Sequence, residues 1–280
     1  MSISFKQWLA AAAFVTISPA HATSGYDWRL TSGNAAIAFS FNGVGALSSI
    51  GAAITTPYSI PFKRGLPDGG EVNTARYEKT STTINLALSG GTTIGDSLSS
   101  VQTANAFIQF KRVTLNDAEE IDDHSVFLTN LDIDLATSTV YANVYTWYQP
   151  TSSSAFSVAT DFGRLAVFNF AKAGINGGAQ GDIILNSVQN EGLATGQASS
   201  SSTDSLRLNA NVADLFVTGL GLDPASRDEY IQQIRLRSWG TLGINANLSG
   251  ITAVPEPSTF AFMGMGLLAL CAATRHGRST

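Results

Sequence analysis

The segment LDIDLATSTVYANVYTWYQP, residues 131–150, decides the class of this chain. Its first five residues alternate: Leu131, Ile133 and Leu135 fall on one side of an extended backbone, Asp132 and Asp134 on the other. Strand side chains point to opposite faces in turn, so this is the pattern of a half-buried β-strand. In VYANVYTWYQP, Val140, Ala142 and Val144 face one way, and Tyr141, Tyr145 and Trp147 the other. Either that aromatic side is buried in a core, where large rings usually go, or it is a strip on which sugar rings stack.

The same alternation recurs elsewhere in the chain. NAAIAFSF (34–41) aligns Ile37, Phe39 and Phe41; TTINLAL (82–88) aligns Ile84, Leu86 and Leu88. TLGINANL (241–248) puts Leu242, Ile244, Ala246 and Leu248 inward against Thr241, Gly243, Asn245 and Asn247. Between such segments lie SGGTTIGDS, GINGGAQGD and NEGLATGQASSSSTD, all rich in turn formers. The last, Asn190 to Asp204, reads as a mobile loop or a soft internal boundary. Charged residues make up only 13% of the chain, and Ser, Thr, Gly and Asn supply its polarity instead. With β-branched and aromatic runs, this predicts an all-β domain, a β-sandwich or jelly-roll-like fold, over residues 23–252.

Helices are expected only near its C-terminal end. Asp223 can cap, Pro224 suits a first helical position, and Asp228 and Glu229 suit the positive end of the dipole. Tyr230, Ile231 and Ile234 then form a buried stripe through DEYIQQIRL, and a second helix is expected within NVADLFVTGLGL, 211–222.

Both ends read as address labels. At the N-terminus Lys6, the apolar run Trp8–Ile17 and the small-x-small pattern Ala20-His21-Ala22 follow the order of a secretory signal peptide, residues 1–22, cut after Ala22. The other end reads AVPEPSTFAFMGMGLLALCAATRHGRST, residues 253–280. Thr259 to Thr274 carries no charge and, as a helix at about 1.5 Å per residue, would rise about 24 Å. That is a transmembrane helix slightly short of a hydrocarbon core of about 30 Å, a gap closed by local thinning or snorkelling. Arg275 and Arg278, in a basic tail at 275–280, form a stop that favours the cytoplasmic side. Pro255 and Pro257 keep the segment ahead of the helix stiff and extended, a form that a processing enzyme can grip.

This terminal segment resembles the PEP-CTERM sorting signal of bacterial exported proteins: a Pro-Glu-Pro motif, an apolar helix, then a basic tail. The resemblance implies that Pro255, Glu256 and Pro257 are recognised by an exosortase, a membrane-embedded cysteine transpeptidase that cuts near the motif. It also implies transient residence in the inner membrane and a final place at the cell surface or in the extracellular matrix, alongside exopolysaccharide and biofilm. Signal peptidase and exosortase are then the processing partners. A GPI signal would end in its hydrophobic tail without a basic cap, and no Leu-Pro-x-Thr-Gly motif occurs. The succession of strands over 126–257 is similar in layout to other PEP-CTERM proteins and assigns no activity.

Chemistry is sparse in the middle of the chain. Thr23 to Pro257 carries 13 Lys and Arg against 21 Asp and Glu, about −8, which argues against nucleic acid as a partner. The one cysteine, Cys271, lies in the apolar tail, so the domain has no disulfide to draw on. Of three histidines only His124 lies between the two labels, which disfavours a histidine-based zinc site or a serine hydrolase. No cofactor is expected. The acidic run LNDAEEIDDHS offers Asp117, Glu119, Glu120, Asp122 and Asp123 as a candidate calcium set, since hard cations gather carboxylates. Its spacing is not that of an EF-hand, and a solvated loop is the simpler account. Two expectations follow: a non-enzymatic exported matrix or surface protein, or an exported carbohydrate-active enzyme using paired carboxylates from 117–134.

Overall fold

The computed structural model describes residues 25–58, 72–150, 158–170, 181–185, 192–200 and 206–252. The strands are β1 (Tyr26–Phe39), β2 (Ala52–Thr55), β3 (Arg76–Glu78), β4 (Thr83–Ile94), β5 (Ser97–Thr103), β6 (Phe107–Leu115) and β7 (Ile121–Asp134). They continue with β8 (Thr139–Pro150), β9 (Val158–Asn169), β10 (Gly181–Leu185), β11 (Leu193–Ser199), β12 (Arg207–Leu208) and β13 (Gly240–Thr252). Helix α1 is Phe41–Ser49, α2 is Ala210–Gly219 and α3 is Arg227–Leu236, the last preceded by a 3-10 turn at Pro224–Ser226.

All thirteen strands among the described residues belong to one antiparallel sheet. The fold is thus mostly β as expected, but where a sandwich would have two separate sheets this chain has one that curls on itself. The branch point is β5. One of its edges pairs with β4; the other pairs with β10 at Ser97–Leu98 and with β7 at Ser100–Gln102. Following β1, β4, β5, β10, β11 and β13 leads back to β1, so these strands close a ring. The remaining strands form a limb, β6–β7–β8–β9, with β2 and β12 on its edges. Along one edge β7 changes partner from β6 to β5 at Asn130, which has φ +50° and whose side chain accepts from the Asn105 amide.

The alternation read from sequence places the core. Leu131, Ile133 and Leu135 are buried, as are Ile84, Leu86, Leu242, Ile244, Ala246 and Leu248. Trp239 joins ring, limb and helix. Its ring centroid lies 6.5 Å from Phe39, 5.9 Å from Phe110, 5.8 Å from Phe168 and 6.0 Å from Phe216 of α2. Its indole N–H donates to the Ile234 carbonyl at 2.8 Å, which satisfies the one polar atom of an otherwise apolar block.

Three expectations change. Phe41 does not continue the β1 face; it is 92% exposed at the start of α1, because Ser40 caps that helix by accepting from Gly43 N at 3.0 Å. Of SGGTTIGDS only Gly95 and Asp96 form the turn, the rest being strand. The stretch Asn190–Asp204 contains β11, a full ring strand. Its inward residues are Ala194, Gly196 and Ala198, all small, so it lacks a hydrophobic signature. Size is what the ring requires there: a Cβ on Gly196 would lie 3.0 Å from Leu248 Cδ1 and 3.3 Å from Leu98 Cδ2. The two C-terminal helices fall where they were expected, with Ile234 buried and Tyr230 and Ile231 packed against the core.

Candidate functional site

The first residue pair of the β1–β13 ladder is Tyr26 with Thr252. Thr252, the last described residue, therefore lies beside the start of β1. Pro255, Glu256, Pro257, Arg275 and Arg278 lie outside the described residues, as do Ala20 and Ala22 of the expected cleavage site.

The acidic run is a hairpin turn. Asn116 Oδ1 accepts from the backbone amides of Ala118 and Glu120, each at 2.9 Å, and fixes the reversal between β6 and β7. Asp117 and Glu119 are exposed there, and Glu120 is half-buried. Once β7 begins, alternation separates the others: Asp122 turns to the core side and accepts from Tyr148 Oη at 3.2 Å, while Asp123 turns to Lys111 at 2.8 Å. The five calcium candidates are thus not brought together. Among the described residues no three His, Cys, Asp or Glu side chains group closely enough to hold a metal ion. Further along β7, Asp132 pairs with Arg164 at 2.8 Å, and Asp134 accepts from the Thr137 amide.

His124 sits in a cross-strand set that sequence spacing could not show. The register places Arg112, His124 and Tyr148 opposite one another on β6, β7 and β8. The imidazole stacks on Tyr148 with ring centroids 4.8 Å apart. Arg112 donates to the carbonyls of Ile50, Leu220 and Gly221, and so ties the ends of α1 and α2 to the sheet. Burial, and then the Arg112 guanidinium, lower the His124 pKa below its ordinary value, with Asp122 and Asp123 pulling the other way. Burial and the bond to Asp122 raise the Tyr148 hydroxyl. Asp122 is 8% exposed, and its Oδ1 has no hydrogen-bond partner among the described residues. The set binds helix ends to strands, which is a structural task.

Of the two readings of the aromatic strip, burial is the one that Tyr145 and Trp147 take. Tyr145 is 3% exposed and Trp147 is 8% exposed; with Phe127 they form a small second core on the outer side of the limb. Their ring faces are closed to a stacking sugar. Tyr141 is half-buried.

The segment that follows β13 bears on the destination. Residues 253–278 match the family of the PEP-CTERM protein-sorting motif. The chain carries a PEP-CTERM sorting signal. The PEP-CTERM signal implies an exported, surface-sorted protein, held at the membrane before processing by an exosortase. No helix among the described residues is long and apolar enough to cross a membrane, and the apolar run Thr259–Thr274 of the PEP-CTERM segment lies outside them. No curated protein and no solved structure matches the chain.

Proposed function

We propose that this is a non-enzymatic PEP-CTERM protein. Its single β-rich domain, residues 23–252, is exported behind a signal peptide at 1–22 and held by a transmembrane helix at 259–274. An exosortase then releases or transfers it to the cell surface or matrix, where it associates with exopolysaccharide. The observation that carries this reading is the PEP-CTERM match immediately after β13. The side-chain geometry agrees with it. A glycosidase needs two carboxylates facing one cleft about 5–10 Å apart. Here Asp122 and Asp123 diverge across the sheet, and Asp123 and Asp132 are each engaged by a cation.

The test is processing. Replacing Pro255, Glu256 and Pro257 with alanine in a host that has an exosortase should leave export intact and trap the full-length protein in the inner membrane. Release of that variant at the wild-type rate would remove the motif from the recognition step.

A further inference from the structure

On the outer face of the ring, β1, β13 and β11 carry an uncharged grid. Asn34, Asn245 and Gln197 stand directly opposite one another in register, and so do Ala36, Gly243 and Ser199 in the adjacent row. The second row is low, because Gly243 has no side chain and Ala36 only a methyl. The two rows, together with the buried Ala198 and Ile244 between them in sequence, line an open depression of about 400 Å³.

Asn247, in the next row, donates to Ser32 Oγ at 3.0 Å, whereas none of Asn34, Asn245 and Gln197 has a side-chain partner among the described residues. Three primary amides at the strand spacing of about 4.8 Å offer donors and acceptors alternately along a line. No lining residue is charged. An anionic polymer would find no cation in the depression to replace its hydration, and a cationic one no carboxylate. A chain of hydroxyl groups without charge finds both a donor and an acceptor at each step.

We propose that this depression binds a strand of uncharged polysaccharide across β1, β13 and β11, with Asn34, Asn245 and Gln197 as its hydrogen-bonding row and Gly243 as its floor. This rests on the proposed association with exopolysaccharide and gives that association a place on the molecule.

The site can be blocked without disturbing the fold. A Cβ on Gly243 meets no atom within 4 Å, so Gly243→Ile fills the floor with a residue that suits a strand. Asn245→Ala removes the central amide from an exposed position instead. The processed protein and both variants, purified from the native host, are run by affinity electrophoresis through gels containing the neutral or the acidic fraction of that host's extracellular polysaccharide. The wild type should be retarded by the neutral fraction only. Each variant should lose about tenfold or more in apparent affinity, or about 1.4 kcal/mol, with an unchanged melting temperature. Wild-type retardation that both variants retain, or retardation by the acidic fraction, overturns the site and leaves the polysaccharide association standing. Absence of wild-type retardation in both gels overturns the association and the site with it.

Discussion

A Cβ placed on Gly221 would stand 2.5 Å from Cε1 of His124, so the turn that ends α2 rests directly on the imidazole. Gly221 also has φ +60°, a conformation that L residues adopt at a cost. Gly221→Ala should therefore destabilise the domain by about 1–3 kcal/mol from backbone strain, with the steric clash added. Thermal melting checks this. Combining it with His124→Ala should recover the steric part and leave the backbone part, a non-additivity that identifies the contact.

The same contact makes stability depend on pH. The folded state lowers the His124 pKa, first through burial and then through Arg112, against the opposing pull of Asp122 and Asp123. Tyr148 on β8 and the carbonyl-bound end of α2 complete its surroundings. The unfolded chain takes up this proton near its ordinary value of 6.5, and the folded chain only below that. Between the two values the unfolded state holds more protons, so stability is full above 6.5 and declines as pH falls beneath it. Melting temperatures measured downward from neutral pH should show this slope, and His124→Gln should flatten it. An identical slope in the variant would assign it to other groups.

Trp239 touches aromatic rings from the ring strands, the limb and α2, so its truncation is felt everywhere. Trp239→Ala should cost about 3–5 kcal/mol. Trp239→Phe keeps most of the volume but leaves the Ile234 carbonyl without its indole donor, adding about 1 kcal/mol. Chemical denaturation of both variants separates the packing loss from the hydrogen-bond loss.

At the N-terminus, the proposed cleavage after Ala22 would leave a mature chain whose first strand starts at Tyr26. Replacing Ala22 with phenylalanine should block the cut, because the cleavage pocket takes small residues. Mass spectrometry of the exported protein reads the outcome, and a mature chain still beginning at Met1 would refute the signal peptide.

The sequence was most legible where inward residues are large. TLGINANL reads as a strand because Leu242, Ile244 and Leu248 announce its buried face, and β13 has that face. LATGQAS has the same alternation written in alanine and glycine, and there the requirement is closeness to Leu98 and Leu248, which only the folded ring supplies. Helix α1 was hidden for a similar reason: Gly43, a poor helix former, lies where a Cβ would be 3.0 Å from the Trp239 backbone. Of the candidate sites, the carboxylates of 117–134 were visible, but not their dispersal by strand alternation and by Lys111 and Arg164. The row Asn34–Asn245–Gln197 exists only through register between strands remote in sequence.

The placement of β13 has a mechanical consequence. A protein tethered through the segment after Thr252 receives any drag on its body as tension at that residue. Tension there runs along β13, which is bonded to β1 from Tyr26↔Thr252 to Phe39↔Gly240 and to β11 along its other edge. Antiparallel hydrogen bonds lie perpendicular to the strands, so the pull loads both ladders in shear, with many bonds sharing the force at once. A strand on the sheet's margin would instead be peeled away bond by bond. A chain held through that segment would hang from a strand flanked on both sides.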